Sequence, residues 1–513
     1  MEFKRNSNRI VLAITIITLV CKVLGFLKNS VLAYFFGTSP VVDAYVMTFS
    51  IGTITSGWIA GLIGNFTPKF KELEARDGRE RALLFSSQVI NLIFVLIIGL
   101  VVILELFAPS VVHIVAPGFS GETFSYTVHF FRIYCVSIIY YTVFRFSQEF
   151  LNCNQNHIAA VAPDLLMSSI CILAIVVSHK IGADFLIFGY VIAIFLQSIV
   201  SHISTRKLGF RFRITELWND ELRALVGMAV PIFISDTLAN INNLIDKMFA
   251  SNLESGIVSS LDYANTMKEF AYQVGTIAII TMIFPVISKL WAEGNIDEFK
   301  KTVLRGLDYF SVLFIPIIVG IILVGDIAIS IVFQRGEFTE AAARITSNSF
   351  VIYSISLIAM VYRCIFLKAF YAMQKTKYIL IVSFVNVACN ISFNALLVKT
   401  FGYLGLTTAT TLAALICLPL YFLFFFRTVG GVAYKSFFGK LLKSVLASFA
   451  MGFIVYVIRM GIQDFLQGGI FQQVAWFAVI VASGVIVYSI VGRILKINEI
   501  NHVFGLLFKK FKH

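Results

Sequence analysis

The sequence predicts an all-α polytopic membrane protein of about fourteen transmembrane helices, arranged as two pseudo-symmetric six-helix lobes followed by two C-terminal helices. Three observations carry that prediction: too few charges for a water-facing surface, a succession of apolar runs long enough to span a bilayer, and an internal repeat. Of 513 residues, 58% are apolar and 13% charged, with a mean hydropathy of +0.88. Soluble domains carry roughly 25% charged residues, so a soluble enzyme is excluded.

The motif content excludes more. The seven cysteines (Cys21, Cys135, Cys153, Cys171, Cys364, Cys389 and Cys417) are odd in number and scattered, forming neither a disulfide framework nor a CxxC pair, and read as small buried hydrophobes. The sequence contains no HExxH, no phosphate-binding P-loop and no GxSxG elbow. Zinc chemistry, ATP hydrolysis and triad catalysis lack their basic parts, and no enzymatic activity is expected.

A hydrocarbon core about 30 Å thick takes about 20 apolar residues per helical span. Runs of this kind lie near 9–36, 42–66, 83–107, 124–149, 157–179, 183–204, 223–251, 261–288, 307–333, 347–373, 378–399, 402–426, 440–461 and 474–496. The first follows a basic start (Lys4, Arg5, Arg9) as a secretory signal would, but it carries Lys22 and Lys28 and leads into further spans, so it is expected to be a retained helix. The expected division is an N-terminal lobe at 1–222 with spans one to six, a C-terminal lobe at 223–434 with spans seven to twelve, and 435–513 with spans thirteen and fourteen and a basic tail.

Lys and Arg concentrate in alternate connections, and such an excess marks the cytoplasmic side. One set holds Lys69, Lys71, Arg76, Arg79 and Arg81, then Arg206, Lys207, Arg211 and Arg213, then Lys289, Lys300, Lys301 and Arg305, then Arg427, Lys435, Lys440 and Lys443, and finally Lys509, Lys510 and Lys512. The other set holds only Lys180, Arg335, Arg344, Lys399 and Arg459. Both termini are therefore expected to be cytoplasmic. The net charge of +13 follows from topology and from anionic membrane lipid, with no need for nucleic acid as a partner.

The repeat emerges when 27–45, LKNSVLAYFFGTSPVVDAY, is laid over 246–264, DKMFASNLESGIVSSLDYA. Lys28 then falls on Lys247 and Asp43 on Asp262, a shift of 219 that also places Gln155 on Gln374. Parallel repeats of this kind mark transporters that rock two lobes about a central site.

Charged residues inside spans are the candidate functional groups, because a charge near the bilayer centre costs at least about 2.5–3.5 kcal/mol on insertion scales. Lys22 and Lys28 lie on the first span and are expected to face broadly the same way. Lys247 and Lys268 lie on spans seven and eight. The functional reading makes these four lysines, with Asp43 as an acidic companion, a cationic patch in a cavity between the lobes, suited to a phosphate-bearing headgroup. Snorkelling to the interface is the alternative for Lys28 and Lys247. Arg132 and Arg145 are read as pairing with Glu149 or anchoring at the interface. A second constellation is Asn390 and Asn394, at i and i+4, with Thr410 on the next span. Together with Asp246 these oxygens suit a hard cation such as sodium, and interhelical hydrogen bonding is the alternative reading.

The stretches KVLGFLKNSVLAYFFGTSPVVDAY (22–45), VAPGFS (115–120), DKMFAS (246–251), LDYA (261–264), FQRGEFT (333–339), AFYAMQKTK (369–377) and NISFNALLVKTFGYLGLTTATTLAA (390–414) together resemble the MurJ (MviN) family of lipid II flippases, within the superfamily of multidrug, oligosaccharidyl-lipid and polysaccharide exporters. The resemblance spans nearly the whole chain, and FQRGEFT and AFYAMQKTK are its specific parts. It implies alternating-access translocation of lipid II, an undecaprenyl-pyrophosphate-linked sugar precursor, from inner to outer leaflet of the bacterial inner membrane for peptidoglycan synthesis. The cell-wall synthesis machinery is the implied protein partner. It also implies basic cavity residues that meet the pyrophosphate, and in some relatives a sodium ion near positions matching Asp246, Asn390, Asn394 and Thr410. No other cofactor is required.

The sequence departs from the family at the cavity. Family arginines on the first span are Lys22 and Lys28 here, point charges without the bidentate fork. Two more have no counterpart: the second span reads Thr55, Ser56, Gly57, and Thr266 follows LDYA with Lys268 nearby. A flippase for a capsule, teichoic or O-antigen unit is the alternative function, and a multidrug or cation antiporter a more distant one. Spans thirteen and fourteen are expected to form an apolar groove for the polyprenyl tail.

Overall fold

The computed structural model describes residues 2–216, 218–431, 434–462, 468–497 and 499, with side chains for all of these except 2–12, 60, 230–232, 234–236, 238–239, 277–278 and 434–435. Lys509, Lys510 and Lys512 of the basic tail and the side chain of Lys435 lie outside the described residues. Backbone amides in hydrocarbon must be paired inside the protein, which helices do within each segment, and every regular element among the described residues is an α-helix.

The chain forms two compact units, Met1–Ser259 with Gly336–Phe338, and Ser260–Arg335 with Thr339–His513. The first contains α1 (Glu2–Phe36), α2 (Pro40–Gly64), α3 (Phe66–Asp77), α4 (Arg79–Leu106), α5 (Ala108–Val115), α6 (Gly121–Cys153), α7 (His157–Val161), α8 (Pro163–Ile181), α9 (Asp184–Lys207) and α10 (Asp220–Ala250). α11 (Ile257–Ala292) starts in the first unit and continues in the second. The rest of the second is α12 (Ile296–Val332), α13 (Glu340–Ile355), α14 (Leu357–Ala372), α15 (Thr376–Phe401), α16 (Tyr403–Val429), α17 (Tyr434–Gly461) and α18 (Ile470–Ile494).

Local chemistry sets several boundaries. Pro40 occupies the first turn of α2, where its missing N–H costs nothing. Asn219, Asn295 and Thr339 cap α10, α12 and α13 by accepting from Leu222 N, Glu298 N and Ala342 N. The α12 backbone leaves helical geometry at Val324, with φ −136° and ψ 15°.

Among the described residues, eleven helices are long and apolar enough to cross a membrane, or thirteen if two bent pairs each count as one span. The pairs are Ile257–Thr276 with Ile279–Ala292, bent by 55°, and Glu340–Ile355 with Leu357–Ala372, bent by 42°. The expected fourteen is not reached by this measure. α10 covers the predicted seventh run, and its middle falls among residues whose side chains are not described.

Each unit has an aromatic core. In the first, Phe66, Phe70, Phe85, Phe146, Phe150 and Phe210 are buried, and in the second Phe299, Phe310, Phe314, Phe366, Phe370 and Phe425. Apolar side chains also cover the outside, with Val95, Ile98 and Val102 on one face of α4 about half exposed, as a lipid-facing surface requires. All seven cysteines are free thiols, four buried and three half-buried.

The repeat is visible in the backbone. Gln155 and Gln374 both take positive φ, at 58° and 57°. After α6, Asn156 N bonds Leu151 O and Gln155 N bonds Asn152 O, and after α14 the same register recurs as Lys375 N to Phe370 O and Gln374 N to Tyr371 O. Both are Schellman endings, closing orphan carbonyls with a left-handed residue.

Candidate functional site

α2 packs against α6 and α10, and two of the predicted lysines converge on its Phe49–Ser50 dipeptide. The Lys28 ammonium of α1 stands 5.9 Å from the Phe49 ring centroid, within reach of a cation–π interaction. Lys247 of α10 donates to Ser50 Oγ at 2.8 Å, and that hydroxyl donates in turn to Val46 O. Phe49 is held by Tyr45, Tyr134 and Tyr190, with ring centroids 4.6, 5.3 and 4.6 Å away. Gly52 makes the box possible, because a Cβ there would overlap the Tyr134 ring. Sequence reasoning missed this aromatic box. In a chain with 14% aromatic residues, three tyrosines on three helices give no pattern to read.

Lys22 does not share that face. Six residues at 100° each leave it about 120° from Lys28 around an ideal helix, which corrects the expectation of a common direction. Lys22 is exposed whereas Lys28 is half-buried. Lys22 interacts electrostatically with Asp164 of α8, which also interacts with Arg145 and accepts from Gln197 Nε2 at 2.7 Å. The expected Arg145–Glu149 pair is replaced. Arg145 donates to Gln148 Oε1 and Glu149 accepts from Thr67 Oγ1 of α3, because α3 packs on α6 and brings a hydroxyl to the carboxylate.

Asp43 is 1% exposed and accepts from Gly256 N at 2.6 Å and Ser259 N at 2.8 Å. Both oxygens thus sit on amides at the start of α11, where orphan N–H groups and the helix dipole favour an anion. Part of the FQRGEFT motif is tied to the same unit: Glu337 N donates to Tyr34 O at 3.0 Å. Gly37, at φ +57°, leaves room for the Glu337 carbonyl that a side chain would fill.

In the second unit Lys268 is 6% exposed, its ammonium 4.9 Å from the Tyr353 ring centroid and 3.8 Å from Glu269 Oε1. Asn390 and Asn394 are fully buried on α15. Asn394 Nδ2 donates to Asn390 Oδ1 at 3.1 Å, and Asn390 Nδ2 to Thr410 Oγ1 of α16 at 3.3 Å. These residues form one polar knot in which Asn390 Oδ1 and Thr410 Oγ1 already accept from amides, and the Asn390–Thr410 bond joins α15 to α16 as interhelical hydrogen bonding. Asp246 belongs to the first unit, buried on α10 at 7% exposure. An apolar cavity of about 480 Å³ opens among α11, α12, α13, α17 and α18, lined by Val312, Pro316, Met451, Val455, Ile480 and Tyr488 among others.

The family model described as "Lipid II flippase MurJ" matches residues 32–475. The chain belongs to the lipid II flippase MurJ family. Among its curated relatives, a "Probable lipid II flippase MurJ" of Rhizobium meliloti (strain 1021) is 28% identical over 410 residues, covering 77% of this chain and 76% of that protein. One of Buchnera aphidicola subsp. Schizaphis graminum (strain Sg) is 22% identical over 516 residues, covering 98% and 100%. The fold matches a solved lipid II flippase MurJ in an inward closed conformation with a TM-score of 0.80 at 21% identity, covering 98% of this chain and all of that one. It also matches an inward-facing multidrug resistance MATE family transporter of the MOP superfamily with a TM-score of 0.67 at 13% identity, over 80% and 94%. The MurJ family is thus met at higher similarity than its MATE neighbours. The match takes in Lys247, Lys268, Asp43, Asp246, Asn390, Asn394 and Thr410 and begins after Lys22 and Lys28.

Proposed function

We propose that this chain moves lipid II from the inner to the outer leaflet of the bacterial cytoplasmic membrane by alternating access, supplying peptidoglycan synthesis. Membership of the MurJ family over residues 32–475 is the observation that carries this reading. The residues add the chemistry. Lys28 and Lys247 place two ammonium groups beside α2, and in a low-dielectric interior such charges attract a pyrophosphate far more strongly than in water. Lys22 and Lys268 are the further basic candidates, Lys22 exposed on α1 and Lys268 buried beside Tyr353 in the second unit. Lysine acts as a movable point charge, so the pyrophosphate is held without the fixed fork of arginine, which favours release after each crossing.

The tail needs an apolar path while the headgroup crosses. The cavity bordered by α17 and α18 offers one, with polar atoms scarce along its wall. No bond is made or broken, and the chain acts as a transporter. Asn390, Asn394 and Thr410 are the second-unit residues that would take a sodium ion, which would supply positive charge to a knot of neutral oxygens.

The test is replacement of a native lipid II flippase by this chain in a bacterium depleted of its own. Survival with normal cell shape is the expected result. Well-expressed protein that fails to restore growth would exclude lipid II and leave another lipid-linked oligosaccharide as the cargo.

A further inference from the structure

In the connection from α9 to α10, the described residues 208–216 and 218–219 form no helix, yet the backbone is bound along α4 at several heights. Arg79 Nη2 donates to Leu208 O at 2.9 Å, Ser87 Oγ to Arg211 O at 3.3 Å, and Asn91 Nδ2 to Arg213 O at 2.8 Å and Thr215 Oγ1 at 3.0 Å. The chain then returns, since Arg81 donates to Glu221 Oε1 at 2.8 Å. Phe210 is buried between Phe146 and Phe150, and the Phe212 ring meets Phe94 of α4 at 6.1 Å.

From Ser87 to Asn91 an α-helix rises about 6 Å, and two residues of the linker cover that height, so the segment is close to fully extended. Alternate side chains of an extended segment share a side. Arg211 and Arg213 therefore stand together, roughly 6–7 Å apart at the backbone, opposite Phe212. Both are exposed, and among the described residues neither guanidinium has an ion-pair or hydrogen-bond partner. Arg206 and Lys207 at the end of α9 are exposed as well, and Glu216 is the acidic residue within the linker. Ile214 is 91% and Trp218 58% exposed.

The height matters. One turn beyond Asn91, the α4 surface becomes exposed and apolar at Val95 and Leu96. The arginine pair thus stands at the edge of the lipid-facing surface, where phospholipid phosphates lie, with an isoleucine and a tryptophan beside it in the manner of an interfacial anchor.

We propose that this linker is a binding site for an anionic glycerophospholipid, with Arg211 and Arg213 holding its headgroup phosphate and Ile214 and Trp218 lying against its acyl region. Two guanidiniums on a fixed backbone match a phosphate's oxygens. The net positive charge of the segment selects phosphatidylglycerol over phosphatidylcholine. The site is independent of the cargo reading, since it uses none of Lys22, Lys28, Lys247 and Lys268.

The test is lipid titration of the purified full chain in detergent, with native mass spectrometry counting bound phosphatidylglycerol and phosphatidylcholine. Arg211→Gln and Arg213→Gln are each expected to weaken phosphatidylglycerol binding about fivefold and the double variant roughly thirtyfold, with phosphatidylcholine unchanged. Arg211→Lys/Arg213→Lys, which keeps the charge without the fork, should retain part of the binding, and the distant Arg344→Gln should retain all of it. Unchanged phosphatidylglycerol binding in the monodisperse single variants would overturn the proposal, as would equal binding of the two lipids by the wild type. Loss of lipid II binding with phosphatidylglycerol binding intact would also overturn it, assigning the pair to the cargo.

Discussion

Gln155 and Gln374 stand 219 positions apart and hold the same left-handed backbone conformation, each closing a helix with the same pair of hydrogen bonds. Left-handed φ costs a residue with a Cβ about 1–2 kcal/mol, and glycine usually occupies such a place. Its occurrence twice, at the shift seen in the repeated lysines, is a structural trace of duplication.

Replacing either glutamine by glycine should therefore stabilise its unit by up to about 1 kcal/mol. Gln155→Val or Gln374→Val should destabilise, because a β-branched side chain tolerates that region poorly. Thermal unfolding of the purified protein reads both. A fall in midpoint for the glycine variants would show that the glutamine side chains contribute more than the backbone strain costs.

Asp43→Ala removes the carboxylate from two amides at the start of α11 and leaves buried donors without their acceptor. An unsatisfied buried donor costs about 1–3 kcal/mol, so the unfolding midpoint should drop by several degrees. Asp43→Asn, which keeps one acceptor oxygen, should lose less. An Asp43→Ala variant of unchanged stability would show that the residue's importance lies elsewhere.

The helices were legible because each needs a long apolar run, and the repeat was legible because Lys28 and Lys247 interrupt such runs at equivalent places. Partner choice was not. Glu149 sits at i+4 from Arg145, the spacing that favours a pair, yet it bonds Thr67, a choice made by the packing of α3 on α6. Asp43 could be noticed as a charge in a span, but its role at the amides of Gly256 and Ser259 depends on a contact more than 200 residues away. The Phe49 box was invisible for the same reason, and so was the path of the 208–219 linker along α4, which sequence reading records only as a basic connection.

Lys28→Met and Lys247→Met should each lower lipid II translocation by about tenfold or more at equal expression, the loss of one charge-assisted phosphate contact. Lys28→Arg and Lys247→Arg should retain it, since the charge persists. Transport by purified protein in vesicles measures this. Full activity in both methionine variants would remove these lysines from the cargo path.

Asn394→Asp adds a carboxylate to the Asn390–Thr410 knot. Sodium should then raise the unfolding midpoint more than potassium does, and by more than in the wild type, because a hard cation gains from an anionic oxygen. An equal response to both ions in the variant would exclude a sodium site there.

The most direct test of the central claim is the exposure of lipid II at the outer leaflet of cells that depend on this chain for growth, read by a membrane-impermeant label. Outer-leaflet lipid II at wild-type levels, falling sharply in the Lys28→Met/Lys247→Met double variant at equal membrane abundance, is the predicted result. Lipid II retained in the inner leaflet despite abundant, folded protein would contradict the account.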